Sequence, residues 1–160
     1  MIQPDIQHLL ERLNQVAEFL PHASLRNEHI SRWSIGQQAE HVIRATSAFT
    51  VQILRNRKPD GSGVQKPITA QLLAHGMIPR GVADAPEATL PQLSTSPEEL
   101  ETLLLKARKR VSRLVEVHPE SVANHPYLGE MDRDEIFRFM VIHLDHHLAI
   151  MREIQSAVQS

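Results

Sequence analysis

The stretch DRDEIFRFMVIHLDHHLAIM, from Asp132 to Met151, decides how the chain is expected to fold. Its apolar residues recur every three or four positions, which is the spacing of an amphipathic helix. Glu135 follows Asp132 at the distance of a capping box, in which two side chains accept the first backbone N–H groups of a helix. The stretch therefore predicts a helix that begins at Asp132 and continues almost to the C-terminus.

Two histidines of this helix, His143 and His147, occupy positions of its apolar face where Leu or Ile would be expected. His143 and His147 are separated by about 40° around the helix axis, so both are expected to point into the core. His146 lies beside them, toward Phe139, whereas Asp145 points to the opposite side and to solvent. Buried imidazoles need hydrogen-bond partners or a metal ion. The pair therefore either forms a polar cluster in the core or binds one ion.

Three further helices are predicted upstream. The first covers about 4–20, and the second begins near Ser34. The third begins after Ser96, with Pro97 at its first position and Glu99 completing a second capping box. No alternating pattern indicates a strand. We therefore expect an all-α fold with four long helices.

Residues 59–95 form a long connection between the second and third of these helices. Glycines and prolines interrupt it throughout, except for a short helix predicted over ITAQLLAHGM, residues 68–77. Connections of this length in compact domains usually cover a binding site or are disordered excursions. Both interpretations stay open for this segment.

Length and composition narrow the class of protein. The chain has 160 residues, 41% of them apolar, which suits a single domain over 1–160. It has no signal peptide and no apolar run long enough to cross a membrane, so we expect a cytoplasmic protein. A formal charge of -2 and 4% aromatic residues disfavour nucleic acid as a partner. The basic clusters RNRK (55–58) and KARKR (106–110) are interpreted as solvated helix surfaces.

The absence of cysteine excludes disulfides and leaves only nitrogen and oxygen ligands for a metal. His41, on the second helix, is the best candidate for a third ligand beside His143 and His147. Gln38, one turn earlier, could orient an imidazole. By spacing alone, His41 is equally a ligand or an ordinary core histidine. Zinc, iron, nickel and manganese all accept imidazole.

The segments WSIGQQAEHV (33–42) and HLDHHLAIM (143–151) resemble the DinB/YfiT-like superfamily of metal-binding helical proteins. That family places one metal-binding histidine on its second helix and two, four apart, on its last, and these match His41, His143 and His147. The final third, NHPYLGEMDRDEIFRFMVIHLDHHL, resembles an uncharacterised branch with a His-Pro-aromatic-x-Gly loop before a His-x-Asp-His-His-Leu helix. The resemblance covers most of the chain except residues 59–95.

The resemblance implies a four-helix bundle of the DinB/YfiT-like type with a long connection between helices 2 and 3, and in many members a homodimer. It also implies a divalent transition metal, first of all zinc or nickel, with iron and manganese as alternatives. Relatives transfer low-molecular-weight thiols or act as hydrolases, so a metal-dependent enzyme acting on a small-molecule substrate is one hypothesis. The other is a non-catalytic binding or dimerisation protein with a core histidine cluster.

Catalytic residues beyond the metal ligands are less defined. His125, in the HPYLG loop, could relay a proton or simply cap the loop, and Tyr127 offers a hydroxyl nearby. His146 matches an accompanying histidine of the family. The remaining histidines show no convergent spacing and are expected to be ordinary: His8, His22, His29, His75 and His118.

Overall fold

The computed structural model describes residues 2–55, 64–81, 84–92 and 96–159 of the chain. Helices dominate these ranges: α1 (Ile2–Phe19), α2 (Ile35–Arg55), α3 (Pro67–His75), α4 (Pro97–Ser112) and α5 (Arg133–Gln159). Two short strands precede α5, β1 (Val122–His125) and β2 (Gly129–Asp132), and they pair in an antiparallel hairpin. The expectation of a mostly helical fold is confirmed.

The hairpin corrects the expectation of an all-α protein. Each strand has only four residues, too few to show the alternation by which strands are recognised in a sequence. Its register pairs His125 with Gly129, and Gly129 has a φ of +79°, a conformation that favours glycine. The segment HPYLG, expected as a plain loop, is the turn of this hairpin.

The long helices pack in pairs around an apolar core. Both α4 and α5 contact α1 and α2. Helix α5 runs antiparallel to α2, because Phe139 meets Phe49 while His147, farther along α5, meets Gln38 near the start of α2. The apolar residues of α2 that recur every three or four positions are all buried: Ile35, Ala39, Val42, Ala45, Phe49 and Ile53.

Both predicted helix starts are present. Asp132 accepts a hydrogen bond from the backbone N–H of Glu135 at 2.9 Å, and the Glu135 carboxylate accepts one from the N–H of Asp132 at 3.0 Å. Ser96 accepts from the N–H of Glu99 at 3.4 Å. The capping box that starts α5 is therefore complete, and it fixes the first turn of the helix that carries His143 and His147.

The connection between α2 and α4 contains α3, which confirms the short helix predicted there. Residues 59–63, 82–83 and 93–95 of this predicted loop lie outside the described residues. The Arg138 side chain donates to the carbonyl of Leu73 at 2.6 Å, and Lys66 N–H donates to the carbonyl of Leu128 at 2.9 Å. The connection is therefore fastened to α5 and to the hairpin. In the described ranges, no helix is both long and apolar enough to span a bilayer.

Candidate metal centre

Three imidazoles from two helices converge in the core. His41 comes from α2, and His143 and His147 come from successive turns of α5. The Nε2 atom of His143 lies 3.2 Å from Nε2 of His41 and 3.2 Å from Nε2 of His147. One nitrogen from each of the three residues lies within 4.8 Å of the others, so the cluster could hold a metal ion. The structure thus brings together the residues that the sequence singled out, and their role as ligands stays a prediction.

The second nitrogen of His147 is held by Gln38. The Gln38 amide oxygen lies 2.5 Å from Nδ1 of His147, and its NH2 group donates to the Ser31 hydroxyl at 2.8 Å. Because the amide nitrogen is used by Ser31, the oxygen is the atom that faces the imidazole. Gln38 therefore orients an imidazole as expected, and that imidazole is His147, on the opposite helix.

The second nitrogen of His41 is held by the long connection. Nδ1 of His41 lies 3.0 Å from the carbonyl oxygen of Thr89, which ends a short 3-10 turn, Glu87–Thr89. The buried Glu40 carboxylate anchors the same segment by accepting from the N–H of Gln92 at 2.7 Å. Sequence reasoning missed Thr89, because a backbone carbonyl in an irregular segment leaves no side-chain signal. The connection covers one side of the histidine cluster.

These bonds fix which nitrogens carry protons. Since carbonyl and amide oxygens only accept, Nδ1 of His41 and Nδ1 of His147 are the donors. In the neutral rings, both Nε2 atoms then present lone pairs toward Nε2 of His143. His143 has at most one proton to offer there, so it cannot satisfy both neighbours. A cation between the three nitrogens would satisfy all of them, and the donor set fits a metal that accepts imidazole.

Burial keeps the cluster uncharged. The pKa values of His143 and His147 lie well below the usual range, mainly because burial disfavours the charged form and further because neighbouring histidines repel an added proton. Burial also lowers the pKa of His41, although the hydrogen bond to Thr89 opposes this effect. Neutral imidazole is the form that binds metals, so the folded chain holds all three in that form near neutral pH.

Aromatic rings pack against the cluster. Trp33 lies 5.1 Å from the His41 ring, centroid to centroid, and Phe139 stacks on His143 at 5.5 Å with an interplanar angle of 13°. His41 and His147 are buried, whereas His143 is only half-buried. The centre is therefore most accessible from the side of His143.

His125 occupies the wall next to Phe139 and does not belong to the three-histidine cluster. Its ring stacks on Phe49 at 5.6 Å and meets Phe139 edge-on at 5.3 Å. Nδ1 accepts backbone N–H bonds from Tyr127 at 3.0 Å and Leu128 at 3.2 Å, and burial lowers the pKa of His125 to about 4. Protonation of Nδ1 would break both bonds, so the geometry favours a turn cap over a general base. The Tyr127 side chain is 49% exposed.

His146 borders the cluster from the other side. Its ring meets that of His147 edge-on at 4.9 Å. Burial and the nearby Arg80 lower the pKa of His146. Arg80 itself forms two hydrogen bonds of 2.8 Å with Glu153 of α5. The Arg80–Glu153 pair thus fastens this part of the long connection to α5.

The other histidines stay apart from the centre, as expected. In the described part of the chain, none of them belongs to a group of three or more side chains that could hold a metal ion. These histidines are His8, His22, His29, His75 and His118. Asp145 is exposed as predicted, and it accepts a hydrogen bond from Nε of Arg12 in α1 at 3.0 Å.

Comparison with known proteins agrees with this arrangement. Neither the curated proteins nor the solved structures gave a significant match. The model of one family, described as the DinB superfamily, matches residues 5–151, which include all three clustered histidines. Because the match spans nearly the whole chain, the protein belongs to the DinB superfamily.

Proposed function

We propose that the protein is a metal-dependent enzyme in which His41, His143 and His147 bind one divalent ion. The observation that carries the proposal is the convergence of three Nε2 atoms, two of them fixed as lone-pair donors by Thr89 and Gln38. Zinc or nickel is the preferred ion because the family resemblance implies these two first. Iron and manganese are alternatives because they also accept imidazole. Three protein ligands leave a coordination position open, which is typical of catalytic sites.

An ion bound there would supply a lowered pKa for a water molecule or thiol that binds at the open position. The residues of the chain hold this site in place. Gln38 and Thr89 fix the planes of two imidazoles, and the stacked Phe139 supports the third. The half-buried edge of His143 gives a substrate its approach.

The nucleophile is proposed to come from outside the chain. The sequence has no cysteine, and Glu40, the carboxylate next to His41, accepts bonds from Arg44 at 2.9 Å and from the Gln92 N–H. A low-molecular-weight thiol or water is therefore the proposed reactant, which makes thiol S-transfer or hydrolysis the reaction to test first. As in the superfamily, we propose a four-helix bundle for the long helices and a homodimer in solution.

The decisive experiment is elemental analysis of protein purified without a histidine tag at about pH 7.5, where imidazole is mostly neutral. About one equivalent of a transition metal is expected in the wild type, and none in a His143→Ala/His147→Ala variant. The matched control is His8→Ala/His29→Ala, which removes two exposed histidines and should keep the metal. Thiol transfer and ester hydrolysis are then screened with the ion found.

A different result would favour the non-catalytic alternative. Wild-type protein that takes up no zinc, nickel, manganese or iron on reconstitution would show that the three histidines are only core polar groups. Metal binding without turnover of any thiol or ester substrate would retain the site but reject the enzyme. The oligomeric state, measured on the same samples by light scattering, tests the proposed homodimer separately.

A further inference from the structure

A concave site lies between α2 and α4. It is a groove of about 680 Å³ whose α2 wall extends from Ile43 to Arg55 and whose α4 wall extends from Leu103 to Arg110. Ala88 of the long connection completes it, and none of the three clustered histidines lines it. The volume lies in the range of pockets that take small organic ligands.

Four cationic side chains line this groove. Arg44 and Arg55 come from α2, and Lys106 and Arg110 come from α4. From the sequence, the basic clusters 55–58 and 106–110 are interpreted as two separate solvated helix surfaces. In the fold, Arg55 of the first cluster and Lys106 and Arg110 of the second line the same groove. Among the described residues that line the groove there is no Asp or Glu. A cleft lined by one sign of charge concentrates its field on an oppositely charged ligand.

Three of the four cations have no ionic partner among the described residues. Arg44 is paired with the buried Glu40 at 2.9 Å, whereas Arg55, Lys106 and Arg110 form no ion pair in the described part of the chain. Lys106 and Arg110 are four residues apart on one helix, a spacing at which like charges repel. An anion between them would relieve that repulsion.

Apolar side chains also line the groove. Ile43, Ala48, Val51 and Leu103 line it, and Ser47 adds a hydroxyl. Inorganic phosphate alone would leave this apolar surface in contact with water, whereas a ligand with an apolar body would cover it. The groove thus combines recognition of an oxyanion by Arg and Lys with burial of an apolar group.

We propose that the groove between α2 and α4 binds a small amphiphilic anion, with its phosphate or carboxylate group at Arg55, Lys106 and Arg110 and its apolar body over Val51 and Leu103. This site is separate from the histidine cluster and does not depend on the proposed function. Its concave shape favours a small molecule over a flat membrane surface.

The test is a calorimetric titration of the full chain with octyl phosphate at low and high salt. Saturable binding of one molecule is expected, weaker at high salt because the charges are exposed. Lys106→Glu should weaken it at least about tenfold, since it replaces attraction by repulsion. Lys109→Glu is the matched control, an exposed lysine on the same helix that does not line the groove, and it should change affinity less than about twofold.

Four further measurements make the result specific. Inorganic phosphate and octyltrimethylammonium should bind much more weakly, because each lacks one half of the recognised chemistry. The His143→Ala/His147→Ala variant should bind octyl phosphate as the wild type does. Equal losses in Lys106→Glu and Lys109→Glu, binding that vanishes with the histidines, or no saturable binding at all would overturn the proposal. So would Lys106-dependent binding to phosphatidylserine vesicles without binding of octyl phosphate.

Discussion

The amide oxygen of Gln38 lies 2.5 Å from Nδ1 of His147, and this contact joins the start of α2 to the middle of α5. Through it, a residue of one helix sets the orientation of an imidazole on the other. The NH2 group of the same amide donates to Ser31, so the side chain cannot turn over without losing both bonds. Gln38 is 2% exposed, which excludes water as a ready substitute.

Replacement of Gln38 is expected to weaken metal binding without removing a ligand. In Gln38→Ala, Nδ1 of His147 loses its acceptor, and the affinity for zinc should fall by about 10- to 100-fold. Gln38→Glu keeps an acceptor oxygen and should bind at least as tightly as the wild type. The measurement is competition with a chromophoric chelator. Gln7→Ala, on the exposed surface of α1, is the control. Wild-type affinity in Gln38→Ala would show that the contact does not position the ligand.

The capping box at α5 is expected to contribute measurably to stability. Asp132→Ala removes the acceptor for the N–H of Glu135 and should lower the free energy of unfolding by about 1 kcal/mol. Asp132→Asn keeps an acceptor and should cost much less. Urea denaturation of both variants gives the comparison. Equal losses would mean that the negative charge at the helix start, rather than the cap, stabilises α5.

Much of the centre could be predicted from sequence because the information was local. The spacing of His143 and His147 on one helix fixes their common direction. For His41, spacing alone leaves the role open, and the family resemblance singles it out as the third candidate. The partners that orient the rings were harder to foresee. The sequence indicates that Gln38 orients an imidazole, but it does not indicate that this imidazole belongs to His147. The carbonyl of Thr89, which bonds to His41, lies 48 positions away along the chain. Such contacts follow from tertiary packing and leave no periodic signal.

The hairpin shows the same limit. The sequence predicts a loop at the HPYLG segment, but the strands on either side of it are stabilised by long-range contacts. Gln52 of α2 bonds to the backbone of Asn124 through both atoms of its amide. Gly129 lies against the backbone of Val64 in the long connection. Neither partner is near the hairpin in sequence, so the strands could not be predicted from their own residues.

Gly129→Ala is expected to be strongly destabilising, because two effects add. The left-handed φ of +79° costs about 1–2 kcal/mol for a residue with a side chain. A Cβ atom would also overlap the carbonyl oxygen of Val64, a backbone atom that cannot turn aside. Gly81→Ala is the matched control, since its φ of +73° is similar but no atom of the described residues lies within 4 Å of its Cβ position. Thermal denaturation should show a clearly larger loss for Gly129→Ala, whereas similar losses would mean that the connection moves away easily.

The last prediction concerns acid stability and His125. Its pKa is about 4 in the folded chain, below the value of about 6.5 expected in the unfolded chain. Below about pH 6.5, His125 is therefore protonated in the unfolded chain, whereas in the folded chain it stays neutral until about pH 4. Stability from this residue is complete above about pH 6.5 and is lost as the pH falls toward 4. His125→Asn removes the titrating group and keeps a side-chain oxygen for the turn.

The variant should thus lose less stability than the wild type between about pH 7.5 and pH 5, by about 1–2 kcal/mol. Urea denaturation at both pH values, in the presence of a chelator, measures the difference. His8→Asn, which alters an exposed histidine of α1, should follow the wild type. If His125→Asn also loses stability with the wild-type slope, protonation of His125 is not resisted by the fold. The two backbone hydrogen bonds to Nδ1 would then not prevent the ring from taking up a proton. That result would support a role for His125 as a proton relay.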